Sequence, residues 1–286
     1  MSTTPYIVDA HHHVWDLGVR DQDWITGPEL APLRRDFTLA DLTPLARREG
    51  VRASVAVQTV AVADETPELL ALAAERDLVR AVVGWTDLTA PDVVQELARL
   101  RGLPGGRYLA GIRHQVQGEP DPDWLTRPDV LNGLRAVAAA GLAYDLIVLP
   151  QQLPAARRAA AAVPELTFVL DHLGKPPIAS GVIGAWQRDL LRLAELPNVV
   201  CKLSGLVTEA DWSRWSTEDL RVCTETALDA FSPDRLMFGS DWPVCTLAAS
   251  YGDVVASAAD LTRGLSPSEQ TAVWSGTATR VYALAD

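Results

Sequence analysis

The chain has 286 residues, with 37 acidic against 25 basic side chains, and its formal charge of −12 repels nucleic acid and anionic membrane, leaving small molecules as the expected partners. A hydrophobic content of 48% supports an ordinary folded core, and the doublets Arg34-Arg35, Arg47-Arg48 and Arg157-Arg158 are too isolated to form a basic patch. Cys201, Cys223 and Cys245 form no CxxC pair, residues 1–5 hold no basic leader, and no run is long enough to span a membrane, so a cytoplasmic protein is expected.

The first apolar run, Tyr6-Ile7-Val8, leads into Asp9-Ala10-His11-His12-His13-Val14-Trp15-Asp16, which holds three of the five histidines. Strand alternation places Asp9, His11 and His13 on one face and Ala10, His12 and Val14 on the other, so His11 and His13 can converge on one ion. Residues 15–37 carry Gly18, Gly27, Pro28 and Pro32 and read as a long loop, with Trp15 and Trp24 packing it as a partial lid over the site. A helix then starts at Thr38 as N-cap and ends before Gly50, and the β-branched alternation over 51–58 predicts a strand.

From there the pattern repeats. Strands are expected over 79–85, 108–114, 143–148, 166–170, 199–203 and 235–238. Helices are expected over 65–75, 91–100 with Pro91 in the first turn, 128–140, 153–163, 183–196, 217–231, 248–262 and 267–284. Eight strands alternating with helices predict a single (β/α)8 TIM barrel over residues 1–286, without repeats or linkers. A doubly wound open sheet ranks second, because the first strand does not enter a glycine-rich phosphate loop.

In such a barrel the C-terminal strand ends open onto one face. Those ends offer His11 and His13, Gln58, Arg113 and His114, Asp145, Asp171 and His172, Lys202 and Ser204, and Ser240 and Asp241. All five histidines stand at or beside such an end, which points to a site.

Asp9 to Asp16 combines with Gly111-Ile112-Arg113-His114, Asp171-His172-Leu173-Gly174-Lys175-Pro176, Cys201-Lys202-Leu203-Ser204-Gly205-Leu206 and Phe238-Gly239-Ser240-Asp241-Trp242-Pro243-Val244. In this order the motifs resemble the amidohydrolase-related lactonase family, which includes L-fuconolactonases, L-rhamnonolactonases and pyrone-dicarboxylate lactonases. The resemblance implies an amidohydrolase-type barrel that opens cyclic esters of sugar acids with an activated water. It maps His11, His13, His172 and Asp241 onto the residues that hold a divalent metal in the wider superfamily, with Asp241 also taking the proton of the water. Arg113-His114 and Asp145 stand where a two-metal site would need a bridging lysine or glutamate, so at most one ion, zinc, is expected. Members of this branch also work without a metal, which leaves that alternative open.

Lactone hydrolysis needs a nucleophilic water, a polarised carbonyl and a proton for the departing alkoxide. Asp241 is the candidate base. Arg113, His114 or a zinc ion at His11 and His13 would stabilise the oxyanion, with Asp241 or His172 completing the ligand set. Lys202, Gln58 and Asp145 are candidates for holding the substrate's polar groups, and Trp24 and Trp242 for stacking on its ring; more plainly, Lys202 could neutralise Asp145 or Asp171. Two other readings compete: a metal-dependent decarboxylase or amidohydrolase acting on a small carboxylic acid, and a non-catalytic barrel that binds a sugar acid. A monomer or homodimer is expected.

Overall fold

Short runs of Val, Ala, Leu and Ile make eight strands in a computed structural model that describes residues 6–284. Residues 1–5, on which the absence of a leader was read, and 285–286 lie outside the described residues. The strands are β1 (Ile7–His12), β2 (Val51–Val57), β3 (Val79–Gly84), β4 (Leu109–His114), β5 (Ala143–Leu146), β6 (Phe168–Leu170), β7 (Val199–Leu203) and β8 (Leu236–Phe238). They pair in parallel in sequence order, which an open doubly wound sheet would not do. The ring closes just past β8, where Asp241 N donates to His11 O at 2.8 Å and His13 N to Trp242 O at 2.7 Å. This seam joins the two chain segments that carry His11, His13 and Asp241.

The connecting helices are α1 (Leu39–Arg48), α2 (Glu65–Glu75), α3 (Val93–Gly102), α4 (Pro128–Ala139), α5 (Leu153–Ala162), α6 (Gly184–Ala194), the single turn α7 (Leu206–Glu209), α8 (Thr217–Phe231) and α9 (Tyr251–Leu261). Thr38 does precede α1, its N–H and hydroxyl donating to Asp41 Oδ2 at 2.8 and 2.7 Å, whereas Pro91 stands outside α3, which starts two residues later at Val93. The final helical stretch is α10 (Pro267–Thr271), a π turn over Ala272–Gly276, and α11 (Thr277–Val281). Among the described residues no helix is long and apolar enough to cross a membrane.

Two apolar layers hold these parts together. Val8, Ala10, Val55, Val83, Val169 and Met237 are among the small or slender side chains that fill the barrel interior, and Tyr282 follows α11 into the same cluster. Larger side chains such as Tyr144, Phe168, Trp186 and Phe231 are buried in the second cluster, between strands and helices. The loop over 15–37 is pinned at its base by paired hydrogen bonds between Trp15 and Phe37, both 2.9 Å. Edge-to-face contacts of Trp15 with Trp24 and Phe37, and of Phe37 with Trp242, pack it against the strand ends.

Candidate active site

Simple alternation along β1 fails at one point, and the site depends on that point. The register with β2 shifts between Asp9 and His12, so the strand bulges. Ala10 faces the barrel interior, and His11 after it also points inward, 3.1 Å from Lys202 Nζ. Asp9, expected on the face of His11 and His13, instead accepts from Ser240 N at 2.8 Å, Ser240 Oγ at 2.6 Å and Tyr251 OH at 3.0 Å, which ties β1 to the segment after β8 and to α9. His12 turns away to Ser54 Oγ at 2.9 Å.

His13 Nδ1 donates to Val57 O at 2.7 Å, which fixes its tautomer and leaves the Nε2 lone pair free. His172 Nδ1 is paired with Ser204 Oγ at 2.9 Å, which turns its Nε2 toward Asp241. His11 Nδ1 lies 3.3 Å from Asp171 Oδ1 and 3.1 Å from Lys202 Nζ, and its Nε2 faces His13 Nε2, 3.1 Å away. Asp241 Oδ1 stands 3.7, 3.6 and 3.8 Å from the Nε2 atoms of His11, His13 and His172. Burial would raise the Asp241 carboxyl, but His172, His13 and His11 outweigh it and hold the group well below the ordinary carboxylate range. Burial also lowers His172 to about 4, so its ring is neutral at physiological pH.

This donor set fits one divalent ion. Ligand atoms of His11, His172 and Asp241 lie within 4.8 Å of one another, with His13 Nε2 beside them, and each ring is oriented by a partner behind it. The surroundings limit the set to one. Arg113 Nη1 is 3.4 Å from His11 Nε2, and Arg113 and Lys202 occupy the neighbouring interior with fixed positive charge.

Beneath the histidines lies a buried charge network. Lys202 Nζ donates to Asp145 Oδ2 at 2.5 Å and sits 3.0 Å from Asp171 Oδ1, Arg113 Nη1 donates to Asp171 Oδ2 at 3.0 Å, and Tyr282 OH donates to Asp145 Oδ2 at 2.8 Å. Burial raises Asp145 to about 6 despite Lys202, whereas Lys202, His11 and Arg113 overcome burial at Asp171 and hold it well below the usual range. Asp171 therefore carries the negative charge that orients both His11 and Arg113. It stood at a strand end in the sequence, with nothing there to mark it as the hub.

A cavity of about 590 Å³ opens over this centre. His13, Arg113, His172 and Asp241 reach its wall, as does Trp24 from the loop over 15–37. The structure does not bring Gln58, Asp145, Lys202 or Trp242 to that wall. Asp145 and Lys202 lie deeper and wholly buried, Gln58 Nε2 is spent on Arg113 O at 3.1 Å, and Trp242 packs against Phe37. His114 points outward from β4: its Nδ1 accepts from Trp85 Nε1 at 3.0 Å, its Nε2 bonds Glu119 at 2.7 Å, and its ring stacks on Trp124. Strand alternation separates it from Arg113. Loop residues outside the expected site complete the wall: Asp23, Gln115, Gln117, Trp212, and the ion pair of Lys175 with Glu209 at 3.6 Å.

His172 and Asp241 both hold left-handed backbone, with φ of 54° and 57°, a conformation that costs a non-glycine residue roughly 1–3 kcal/mol and that here marks the turn of each side chain into the site. The His172 ring leaves no room beside Gly205: a Cβ there would lie 2.6 Å from His172 Nδ1, on backbone with φ of +63°. Gly205→Ala is expected to lower stability by about 1–3 kcal/mol and activity by at least about tenfold through displacement of that ring. Thermal melting and steady-state kinetics on the same preparation check it.

The amidohydrolase family model matches residues 8–284. The chain is 43% identical over 288 residues to an L-fucono-1,5-lactonase of Burkholderia multivorans, covering 97% of this chain and 96% of the relative. It is 40% identical over 283 residues to an L-fucono-1,5-lactonase of Burkholderia ambifaria, covering 96% and 94%. A crystal structure of an amidohydrolase from Burkholderia multivorans with bound zinc superposes with a TM-score of 0.92 at 43% identity, covering 98% of this chain and 100% of that one. This chain belongs to the amidohydrolase family.

Proposed function

We propose that the protein hydrolyses the lactone of a sugar acid, an L-fucono-1,5-lactone or a close stereochemical relative, in one barrel unit spanning the chain. One observation carries the reading: a carboxylate, two imidazoles and a guanidinium converge on the wall of a 590 Å³ cavity, in a chain 43% identical to an L-fucono-1,5-lactonase over nearly its whole length. The three buried, unpaired cysteines suit a reducing, cytoplasmic setting.

Asp241 is ionised at neutral pH and accepts a proton as water adds to the lactone carbonyl carbon. Arg113, held by Asp171 Oδ2 and by the carbonyl of Gln58, meets the negative charge that develops on the carbonyl oxygen. The ring C–O bond then breaks, the alkoxide recovers the proton from Asp241, and the hydroxy acid ionises on release. An ion held by His11, His13, His172 and Asp241 would supply Lewis-acid polarisation of water and carbonyl. Gln115, Gln117, Asp23 and the Lys175–Glu209 pair offer donors and acceptors for ring hydroxyls, and Trp24 and Trp212 offer apolar faces.

A panel of L-fucono-, L-rhamnono- and D-galactono-lactones, in 1,5- and 1,4-ring forms, tests the proposal by acid release. Turnover of at least one sugar lactone, with no carbon dioxide from aromatic acids, is expected. Carbon dioxide release with no lactone opening would favour a decarboxylase.

A further inference from the structure

We propose that Glu65, the first residue of α2, is a positioning residue that holds the end of β2 in the shape His13 and Arg113 need for hydrolysis. The inference rests on the hydrolytic reading above and on the geometry of a buried acid that the chemistry leaves unused. Glu65 is 4% exposed. Its carboxylate accepts from Thr59 N at 2.8 Å through Oε1 and at 3.0 Å through Oε2, from Val60 N at 3.0 Å, and from Thr59 Oγ1. Burial raises the carboxyl, and the hydrogen bonds from Thr59 and Val60 oppose the rise.

What the carboxylate pins is the stretch on which three site residues depend. Val57 O accepts His13 Nδ1 at 2.7 Å, Gln58 O accepts Arg113 Nη2, and Thr59 O accepts Gln115 Nε2 at 2.8 Å. Residues 59–64, Thr-Val-Ala-Val-Ala-Asp, contain neither glycine nor proline, and the single turn bond from Val62 N to Val60 O at 3.0 Å does not fix the path of Thr59 and Val60. The side chain of Glu65 does so by satisfying two consecutive backbone N–H groups and a hydroxyl at once. If this stretch moves, Val57 O leaves the His13 imidazole, whose Nδ1–H tautomer is what keeps Nε2 bare 3.6 Å from Asp241. A plain turn-holding role would cost the protein stability and leave the imidazole and the turnover number untouched.

Glu65→Gln in the full chain separates the two. It keeps the shape but turns an N–H donor toward the donors of Thr59 and Val60. The expected result is a kcat lower by about 10- to 100-fold with KM within about threefold, the signature of misplacement and not of lost binding. Proton–nitrogen spectra of the imidazoles should show the His13 Nδ1–H resonance sharp in wild type and lost or exchange-broadened in the variant. A lower melting temperature with unchanged kcat and an unchanged His13 resonance overturns the proposal. Should Glu65→Gln fail to fold, Thr59→Val removes only the hydroxyl's hydrogen bond: a smaller fall in kcat at constant KM supports the role, and an unchanged kcat overturns it. If wild type opens no lactone, the hydrolytic reading fails, and the imidazole spectra alone decide whether Glu65 positions His13.

Discussion

Asp241→Asn is expected to lower lactone turnover by about three orders of magnitude while leaving the fold intact. The size follows from the loss of a general base, worth roughly 10²–10⁴ in rate. Asparagine is close in shape and is among the few residues that tolerate the left-handed backbone this position requires at φ 57°. The main-chain seam also survives, because Asp241 N donates to His11 O whatever the side chain. Circular dichroism and a melting curve near those of wild type, beside turnover about a thousandfold below it, would match the assignment. Turnover near that of wild type would remove Asp241 from the chemistry.

Lys202→Met is expected to have the largest effect on stability, about 3–5 kcal/mol, because it leaves buried carboxylates without their shared cation. The ammonium is fully buried between Asp145 Oδ2 at 2.5 Å and Asp171 Oδ1 at 3.0 Å. Asp171 keeps Arg113, so the deficit falls mainly on Asp145. The pH dependence has a definite sign. Asp145 is already raised by burial to about 6, above the ordinary range of an aspartate, and without Lys202 it rises further. A group whose folded pKa exceeds its unfolded value binds more protons folded, so its penalty is fully present above the folded pKa and fades as pH falls through it. Urea titrations should therefore show the gap between variant and wild type narrowing from pH 7 toward pH 5, and Asp145→Asn in the same chain should recover part of the loss. A pH-independent gap would mean that the damage is one of packing.

The barrel was legible because alternating apolar periods report strand and helix directly, and because helix starts such as Thr38 with Asp41 carry their own cap chemistry. The site was legible where strand ends carry rare residue types. The barrel topology brings the strand ends that carry His11, His13, His172, Arg113 and Asp241 to one face. Alternation failed where the backbone departs from a regular strand. The bulge between Asp9 and His12 turned Asp9 outward to Ser240 and Tyr251. Depth along the barrel axis has no sequence signal, so Lys202 and Asp145 looked like substrate contacts and stand beneath the histidines. Facing was overlooked for His114, which strand alternation from Arg113 already turns outward. The cavity wall contributed by Gln115, Gln117, Lys175, Glu209 and Trp212 depends on loop paths that no periodicity encodes.

The most direct measurement is acid release from L-fucono-1,5-lactone in weak buffer, by chelator-stripped wild type and by the same protein with one equivalent of zinc. Ring opening far above the spontaneous rate is predicted in at least one of the two samples. Activity in the stripped sample would assign polarisation to Arg113 and the imidazoles, and activity only with zinc would assign it to an ion at His11, His13, His172 and Asp241. Ring opening at the spontaneous rate in both samples would contradict the account.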